Sequence, residues 1–120
     1  FTGLFETALE DGEIVTEERF PAPTRAAYVK FRQPASRFAL VGVFVAKRGS
    51  DVRVAVTGAG SSGVFRVPAF EAALQTRFAA KSLDGIAVSA DNINSDIHAS
   101  ADYRAHLIGV LAKRAVAAAK

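Results

Sequence analysis

The feature that most constrains the fold is an uncharged run of nine residues in the middle of the chain, Phe38 to Ala46. The run is rich in β-branched and aromatic residues, and the turn-forming stretch Lys47 to Asp51 follows it. Residues 52–57 then alternate valine with arginine, alanine and threonine. This order of a buried strand, a short turn and an alternating strand predicts a β-hairpin with one solvent-exposed face. We expect the hairpin at the centre of a sheet.

An extended segment is predicted before this hairpin, over residues 14–20, because apolar and polar residues alternate there. Pro21 and Pro23 end the segment. Residues 6–13 precede it and read as a short helical turn or loop that ends in an Asp11-Gly12 turn. The pattern therefore predicts a strand that follows a turn and ends before Pro21.

A further strand is predicted over residues 26–31, and Pro34 closes it. Since side chains alternate along a strand, one face carries Ala27, Val29 and Phe31 and the other carries Tyr28, Lys30 and Arg32. Residues 64–67 form a last, short strand candidate.

Helices are predicted in the second half of the chain. Pro68 suits the first position of a helix that runs through Leu74, and Ser82 to Gly85 could cap a second helix that runs through Ala90. Ser100 is the predicted N-cap of the last helix, with Asp102 in its first turn. The apolar stripe of that helix is Leu107, Ile108, Leu111, Ala115 and Ala118.

The order of these elements, strands mostly first and helices mostly last, predicts an α+β sandwich. We expect a small antiparallel sheet of three to four strands, covered on one face by about three helices. The 120 residues form a single domain, 1–120, and a chain of this length can bury a core of its own.

Composition excludes several classes of function. The absence of cysteine excludes disulfides, zinc–thiolate sites, iron–sulfur ligation and a thiol nucleophile in this chain. The net charge of +3 comes from 15 basic and 12 acidic residues that are scattered without a basic run, which argues against nucleic-acid binding. No apolar run is long enough to span a bilayer, and no segment resembles a secretory signal.

The first five residues contain two phenylalanines, Phe1 and Phe5, and the chain contains no methionine. Because two exposed phenylalanines need cover, we expect this chain to continue from an upstream domain.

Residues 58–63 read G-A-G-S-S-G, which is the spacing of a dinucleotide-binding loop. That motif requires a helix to open within it, whereas residues 64–67 intervene before Pro68. We therefore favour a flexible loop that joins two antiparallel strands over a dinucleotide site.

Asp96, His98, Asp102 and His106 could form a metal cluster, because Asp102 and His106 are one helical turn apart. Nothing in the spacing fixes such a geometry, and a first-turn carboxylate and surface histidines explain the same residues. Ser100 has no flanking pattern that places a base beside it. We expect neither a metal site nor a catalytic residue here.

Tyr28, Lys30 and Arg32 place an aromatic ring and two cations on one strand face. Such a face can hold an anionic or planar ligand. Residue pattern alone favours a polar edge strand that positive charge protects from aggregation.

Four blocks in order resemble the C-terminal domain of the FAD-binding medium subunit of molybdenum hydroxylases, the family of aerobic carbon monoxide dehydrogenase and xanthine dehydrogenase. The first is Thr7 to Ile14 with Pro21, and the second is Tyr28 to Val43. The remaining blocks are Val52 to Ala59 with Arg66 to Leu74, and Ser100 to Ile108 with Lys113 to Ala115. Residues 34–37, Pro-Ala-Ser-Arg, look more like the carbon monoxide dehydrogenase branch.

The resemblance implies a non-catalytic domain of an oxidoreductase subunit that walls an FAD cleft and supports electron transfer. Iron–sulfur clusters would pass electrons through FAD to an acceptor. It further implies an upstream FAD-binding domain that binds most of the FAD and a cytoplasmic location. The molybdenum cofactor would belong to a large partner subunit, and the iron–sulfur clusters to a small one.

The resemblance also places a basic residue of the Lys30-x-Arg32 strand within reach of the flavin. Lys30 and Arg32 are therefore the candidate cofactor-binding residues, and the register of one strand decides which of them faces inward. The alternatives are an independent protein-binding or dimerisation module without a flavin role, and a small dinucleotide enzyme built on residues 58–63.

Overall fold

The computed structural model describes residues 2–3 and 6–120. Its centre is an antiparallel sheet in which each strand pairs with the next one in the chain. The strands are β1 (Arg25–Arg32), β2 (Ala39–Arg48), β3 (Asp51–Thr57) and β4 (Phe65–Arg66). The predicted hairpin is confirmed as β2 and β3, and these are the two inner strands of the sheet.

One face of the sheet consists of valines at alternate positions. Val43 of β2 lies opposite Val29 of β1 and Val56 of β3. The valines of the two inner strands are fully buried: Val41, Val43, Val45, Val52, Val54 and Val56. This face, called the packed face below, forms the core against the helices.

Helix α1 (Pro68–Thr76) packs on β3, and helix α2 (Ala101–Ala118) packs on β1 and β2. Pro68 begins α1 as predicted. The hydroxyl of Ser100 accepts a hydrogen bond from the Tyr103 N–H at 3.2 Å, which confirms the predicted N-cap of α2. The buried stripe of α2 includes four of the five predicted residues, whereas Ala118 is exposed and Val116 is buried instead.

The start of β1 and the end of α2 are joined by hydrogen bonds. The Arg25 guanidinium donates to the Ala119 carbonyl, with Nε at 3.1 Å and Nη2 at 2.8 Å. The Ala26 N–H donates to the Lys120 carbonyl at 3.2 Å. The ring of Phe78 lies 5.1 Å from Arg25 Cζ and 5.3 Å from Lys47 Nζ, within cation–π range of both.

The short strand β4 leaves part of β3 unpaired, and Glu71 of α1 completes that edge. Its buried carboxylate accepts the Val54 N–H at 2.9 Å and two bonds from Arg66, Nε at 2.8 Å and Nη2 at 2.6 Å. The Arg66 side chain, followed by the Val54 N–H, lowers the pKa of Glu71. A side chain thus supplies the acceptor that a longer fourth strand would have supplied.

The α+β class is confirmed, but the described residues contain two α-helices rather than about three. Residues Ala80–Leu83 form only a 3₁₀ turn, and the helix predicted through Ala90 is absent. Gly85 has a φ of 76°, which breaks a helix. After it, Ile86 and Val88 are half-buried while Ala87 and Ser89 are exposed, so burial has a period of two. This period suits extended chain.

The strand predicted over residues 14–20 is also absent, and all seven residues are exposed. The turn before it forms, with Gly12 at φ 86° and the Glu13 N–H bonded to the Glu10 carbonyl at 3.0 Å. Phe1 and Phe5, expected to need cover, lie outside the described residues. Within the part of the chain described, no helix is both long and apolar enough to cross a membrane.

Candidate functional site

The face of the sheet opposite the helices carries aromatic, small and cationic residues, and we call it the open face. One row across it runs from Tyr28 through Phe44 to Ala55, and the next from Lys30 through Gly42 to Thr57. Tyr28 is 47% exposed and Phe44 is 38% exposed. The structure thus places Tyr28 and Lys30 together on the face that the helices leave uncovered.

Tyr28 is held in place across the middle of this face. Its hydroxyl lies 2.9 Å from the Thr57 hydroxyl, so a hydrogen bond spans β2 from β1 to β3. Gly42 lies beneath that bond, and a Cβ at this position would clash with both hydroxyl groups. Glycine here is therefore a packing requirement, because it leaves room for the two hydroxyl groups to meet over β2.

Lys30 is tied to the loop between β1 and β2. Its Nζ donates to the Arg37 carbonyl at 3.2 Å, and Arg37 has a φ of 64°, which is rare for a residue with a side chain. The Gln33 side chain supports the same loop by accepting the Ser36 N–H at 2.7 Å. The loop presents Phe38 with 77% of its surface exposed. A cation and an exposed aromatic ring therefore come from neighbouring positions at one end of the sheet.

Arg32 has a different environment from Lys30. The pairing of β1 with β2 shifts register between Phe31 and Arg32, so that Arg32 lies opposite Ala39. Such an irregularity ends the simple alternation on which the sequence argument relied. Lys30 precedes the shift and follows the regular pattern, whereas Arg32 stands beyond it as the exposed last residue of the strand.

A concave groove of about 1150 Å³ lies at the other end of the open face. Phe20, Pro21 and Pro23 form one side of it, and Phe44 and Ala46 line the sheet side. Its rim includes Arg48 and the ion pair of Arg53 with Asp51. The open face thus offers aromatic surface with a cation near each end, Lys30 and Arg48.

The glycine loop joins β3 to β4, which are antiparallel, and α1 begins only at Pro68. The prediction of a connecting loop is therefore confirmed. The loop is held by the segment before α2: the Ser61 N–H donates to the Asn92 carbonyl at 2.9 Å, and the Asn94 N–H to the Ala59 carbonyl at 2.8 Å. Because no helix opens inside the loop, its context differs from that of a dinucleotide site.

The acidic and histidine residues before α2 surround a buried arginine. Arg104 is 3% exposed, and its Nη2 donates to Asp96 Oδ2 at 2.7 Å while its Nη1 donates to the Leu40 carbonyl at 2.8 Å. The His98 N–H bonded to Asp96, assisted by Ala99 and Arg104, lowers the pKa of Asp96. Residues 2–3 and 6–120 contain no group of three or more His, Cys, Asp and Glu that could hold a metal ion.

Sequence reasoning missed Arg104 and Glu71. Arg104 precedes Leu107, Ile108 and Leu111 by three, four and seven positions, so it falls in the apolar stripe of α2. That position was a usable signal of a buried cation. Glu71 gave no comparable signal, because its role depends on where β4 ends.

This is an α+β domain with one face of its sheet packed and the other open. The open face of such a domain can cover a ligand or partner from one side. Residues 26–119 match the family described as CO dehydrogenase flavoprotein C-terminal domain, and the chain belongs to this family.

Two curated relatives match along almost the whole chain. The carbon monoxide dehydrogenase medium chain of Hydrogenophaga pseudoflava is 29% identical over 99% of this chain and 45% of its own length. The nicotine 6-hydroxylase medium subunit of Paenarthrobacter nicotinovorans is 34% identical over 97% of this chain and 44% of its own length. The chain thus spans less than half the length of either relative. No solved structure matches it significantly.

Proposed function

We propose that this chain is the C-terminal domain of the flavoprotein medium subunit of a molybdenum hydroxylase, and that its open face forms one wall of an FAD cleft. Family membership supports the domain assignment, and the names of both relatives support a medium subunit of an oxidoreductase. The domain itself is non-catalytic in this proposal.

The observation that carries the flavin role is the position of Lys30. Its ammonium group stands on the open face, beside Tyr28 and the loop that presents Phe38. FAD combines a planar ring with an anionic diphosphate, so it fits a face that offers aromatic surface and a cation. This face would contact one side of FAD only. Tight sites enclose 70% or more of a ligand's surface, so the rest of FAD would need a second domain around it.

FAD, when bound, takes up electrons and passes them to an acceptor. The residues of this chain would hold the ring and phosphate edges in place and set the charge beside them. Lys30 and Arg32 are the proposed cofactor-binding residues. Lys30 is the stronger candidate, because it lies in the regular part of β1.

The proposed assembly places an FAD-binding domain upstream of this chain and two further subunits beside it. A large subunit would carry the molybdenum cofactor, and a small subunit would carry the iron–sulfur clusters. Because the substrate would be oxidised at the molybdenum site, this domain does not determine which substrate the enzyme uses.

Titration of FAD against this chain, and against the same chain with the upstream domain restored, tests the proposal. We expect weak or no binding to the chain alone and clear binding to the longer protein. Tight binding to the 120-residue chain would contradict a cleft shared between two domains, and no binding to either protein would contradict the flavin role.

Lys30→Gln and Arg32→Gln in the full subunit identify the residue that contacts FAD. Loss of one charge-assisted hydrogen bond, about 1.5 kcal/mol, weakens FAD binding by about tenfold. Lys81→Gln is the matched control, since Lys81 is exposed on the 3₁₀ turn away from the open face. If neither of the first two variants changes FAD affinity or potential, the assignment of these residues is wrong.

A protein-binding or dimerisation module without a flavin role is the second candidate. The exposed aromatic residues Phe38 and Phe44 on the sheet side favour it, because exposed apolar patches mark interaction surfaces. Sedimentation of the chain over a range of concentrations, without FAD, detects such self-association.

A further inference from the structure

The segment Glu13–Phe20, called the arm below, has the side-chain pattern of a strand but no strand partner among residues 2–3 and 6–120. Arg19 Nη2 lies 2.8 Å from Glu17 Oε2. Residues two positions apart share a side in extended chain, so this pair marks one side of the arm as charged. The other side carries Ile14, Thr16, Glu18 and Phe20.

That second side leaves large apolar groups in water. Ile14 and Phe20 are both 78% exposed. Burying an isoleucine or phenylalanine side chain is favourable by about 1.5–3 kcal/mol. A segment with a mainly charged side and a side that carries two large apolar residues has the pattern of a half-buried strand at the surface of a sheet.

Among the residues described, the arm is bonded to the sheet beyond its C-terminal end only. The turn of Asp11 and Gly12, a sequence typical of hairpins, closes before it. Beyond it, the N–H and the hydroxyl of Thr24 both donate to the Lys47 carbonyl, at 2.8 and 2.9 Å. The arm therefore leaves the domain from a fixed point at the start of β1.

The route of the chain directs the arm away from the outer edge of β1. Phe20 and Pro21 border the groove that Phe44 and Ala46 line, so the chain crosses the open face between the arm and β1. A hairpin of the arm with β1 would require the chain to turn toward the opposite side. The route of the chain thus speaks against β1 as the partner strand.

The relatives contain further chain that could supply such a strand. Each carries more than half of its length outside the region that matches this chain. We propose that the arm adds as an edge strand to a sheet in the upstream FAD-binding domain, with the side of Ile14 and Phe20 buried there. The inference rests on the proposed function only in that such a domain precedes this chain.

Charge specifies the neighbouring strand further. The arm holds three glutamates, Glu13, Glu17 and Glu18, against one arginine, Arg19. Opposite charges stabilise cross-strand pairs, so the strand that receives the arm carries basic residues. Docking of the arm would bring the upstream domain to the end of the open face that carries the groove.

Hydrogen exchange of the arm amides in the full-length subunit, compared with the 120-residue chain, tests the inference. We expect exchange of alternate arm amides to slow by at least about tenfold in the full-length subunit, because strand pairing protects every second N–H on an edge strand. Equal, fast exchange in both proteins would overturn the inference. Protection in the 120-residue chain that rises with its concentration would also overturn it, since a second copy would then be the partner.

Two adjacent β-branched residues provide a matched pair of variants. Ile14→Glu places a charge on the side proposed to be buried, and Val15→Glu places the same charge on the other side. In the full-length subunit we expect Ile14→Glu to abolish the protection and Val15→Glu to retain it. Equal loss or equal retention in the two variants would contradict the proposed orientation.

Thr16→Pro removes an amide from the middle of the arm, and Ala22→Pro, between two existing prolines, is its control. We expect loss of arm protection with Thr16→Pro alone. Titration of FAD with the same proteins separates the two proposals. If the arm is unprotected in a subunit that binds FAD, only the docking of the arm is overturned. If the arm is protected in a subunit that does not bind FAD, only the flavin role is overturned.

Discussion

The two faces of the sheet are built from the same strands but differ in almost every physical respect. The packed face is a ladder of valines against two helices, such as Val43 between Val29 and Val56. The open face is formed by the intervening residues of the same strands. It carries the partly exposed Tyr28 and Phe44, with cations nearby. The first face forms the core, and the second carries the residues proposed to bind.

This difference shows why β1 and β2 carry two separate patterns in their alternate residues. On the packed face any loss of volume leaves a cavity, because the surrounding residues are close-packed. On the open face the constraint is the position of a few groups, as the Gly42 position beneath the Tyr28 hydroxyl illustrates. Substitutions on the two faces are therefore expected to separate folding from binding.

The largest contrast is expected between two phenylalanines. Phe70→Ala on the packed side should lower the free energy of unfolding by about 3–5 kcal/mol, because Phe70 is fully buried in the core. Phe44→Ala on the open face should cost about 1–2 kcal/mol, since more than a third of the residue is already in water. Urea denaturation of both variants measures the difference, and similar losses would contradict the division between the faces.

The buried arginine gives the next largest contrast. Arg104→Met should destabilise by about 2–3 kcal/mol, because it leaves the Leu40 carbonyl without its charged donor. Arg53→Met on the open face is the control and should stay within about 0.5 kcal/mol. Thermal unfolding monitored by circular dichroism compares them. If Arg104→Met leaves the unfolding free energy unchanged, the packing of α2 does not need the hydrogen bonds of Arg104.

Gly42→Ala tests whether the open face has a packing requirement of its own. The added methyl group should displace Tyr28 from Thr57 and cost about 1–2 kcal/mol as overpacking. In a Tyr28→Ala background the same change should cost less, because one of the two hydroxyl groups is gone. Additive costs in this double-mutant cycle would contradict the proposed contact.

Acid should weaken the packed side through Glu71. Its folded pKa is lowered, mainly by Arg66, so its stabilising effect is present above the unfolded glutamate pKa of about 4.3 and is lost as pH falls through the folded value. Unfolding free energy should therefore decline as pH falls below about 4. Glu71→Gln should flatten that decline in denaturation measured across the acid range. An unchanged slope would assign the acid sensitivity to other groups, such as Asp96.

The smallest effect on folding is expected for Lys30→Gln. Lys30 is exposed on the open face and its one hydrogen bond reaches a loop carbonyl, so the unfolding free energy should change by less than about 0.5 kcal/mol. A larger loss would make Lys30 a structural residue and weaken its assignment to FAD binding.

Local patterns predicted much of the packed face. The uncharged run with its turn gave the β2–β3 hairpin, and the spacing in α2 gave its cap and most of its buried stripe. These elements are determined by neighbours in sequence, so propensity and periodicity identify them. The open face was predicted in part, because the alternation of side chains along β1 places Tyr28 and Lys30 on one face and Val29 on the other.

The errors fall where distant contacts decide the structure. Residues 86–90 are extended because their alternate side chains meet the core, although their composition also suits a helix. Residues 14–20 alternate like a strand, but a strand requires a partner, which the sequence cannot supply locally. The register shift in β1 before Arg32 also leaves no trace in residue pattern, so the assignment of Arg32 to the FAD cleft stays a prediction.

The joint between Arg25 and Ala119 has a mechanical consequence. A chain that enters at β1 and leaves at α2 enters and leaves at the same corner, since the Ala26 N–H donates to the Lys120 carbonyl. A tension applied between these two points would therefore load the corner first, and the valine core would bear it only after those bonds had opened.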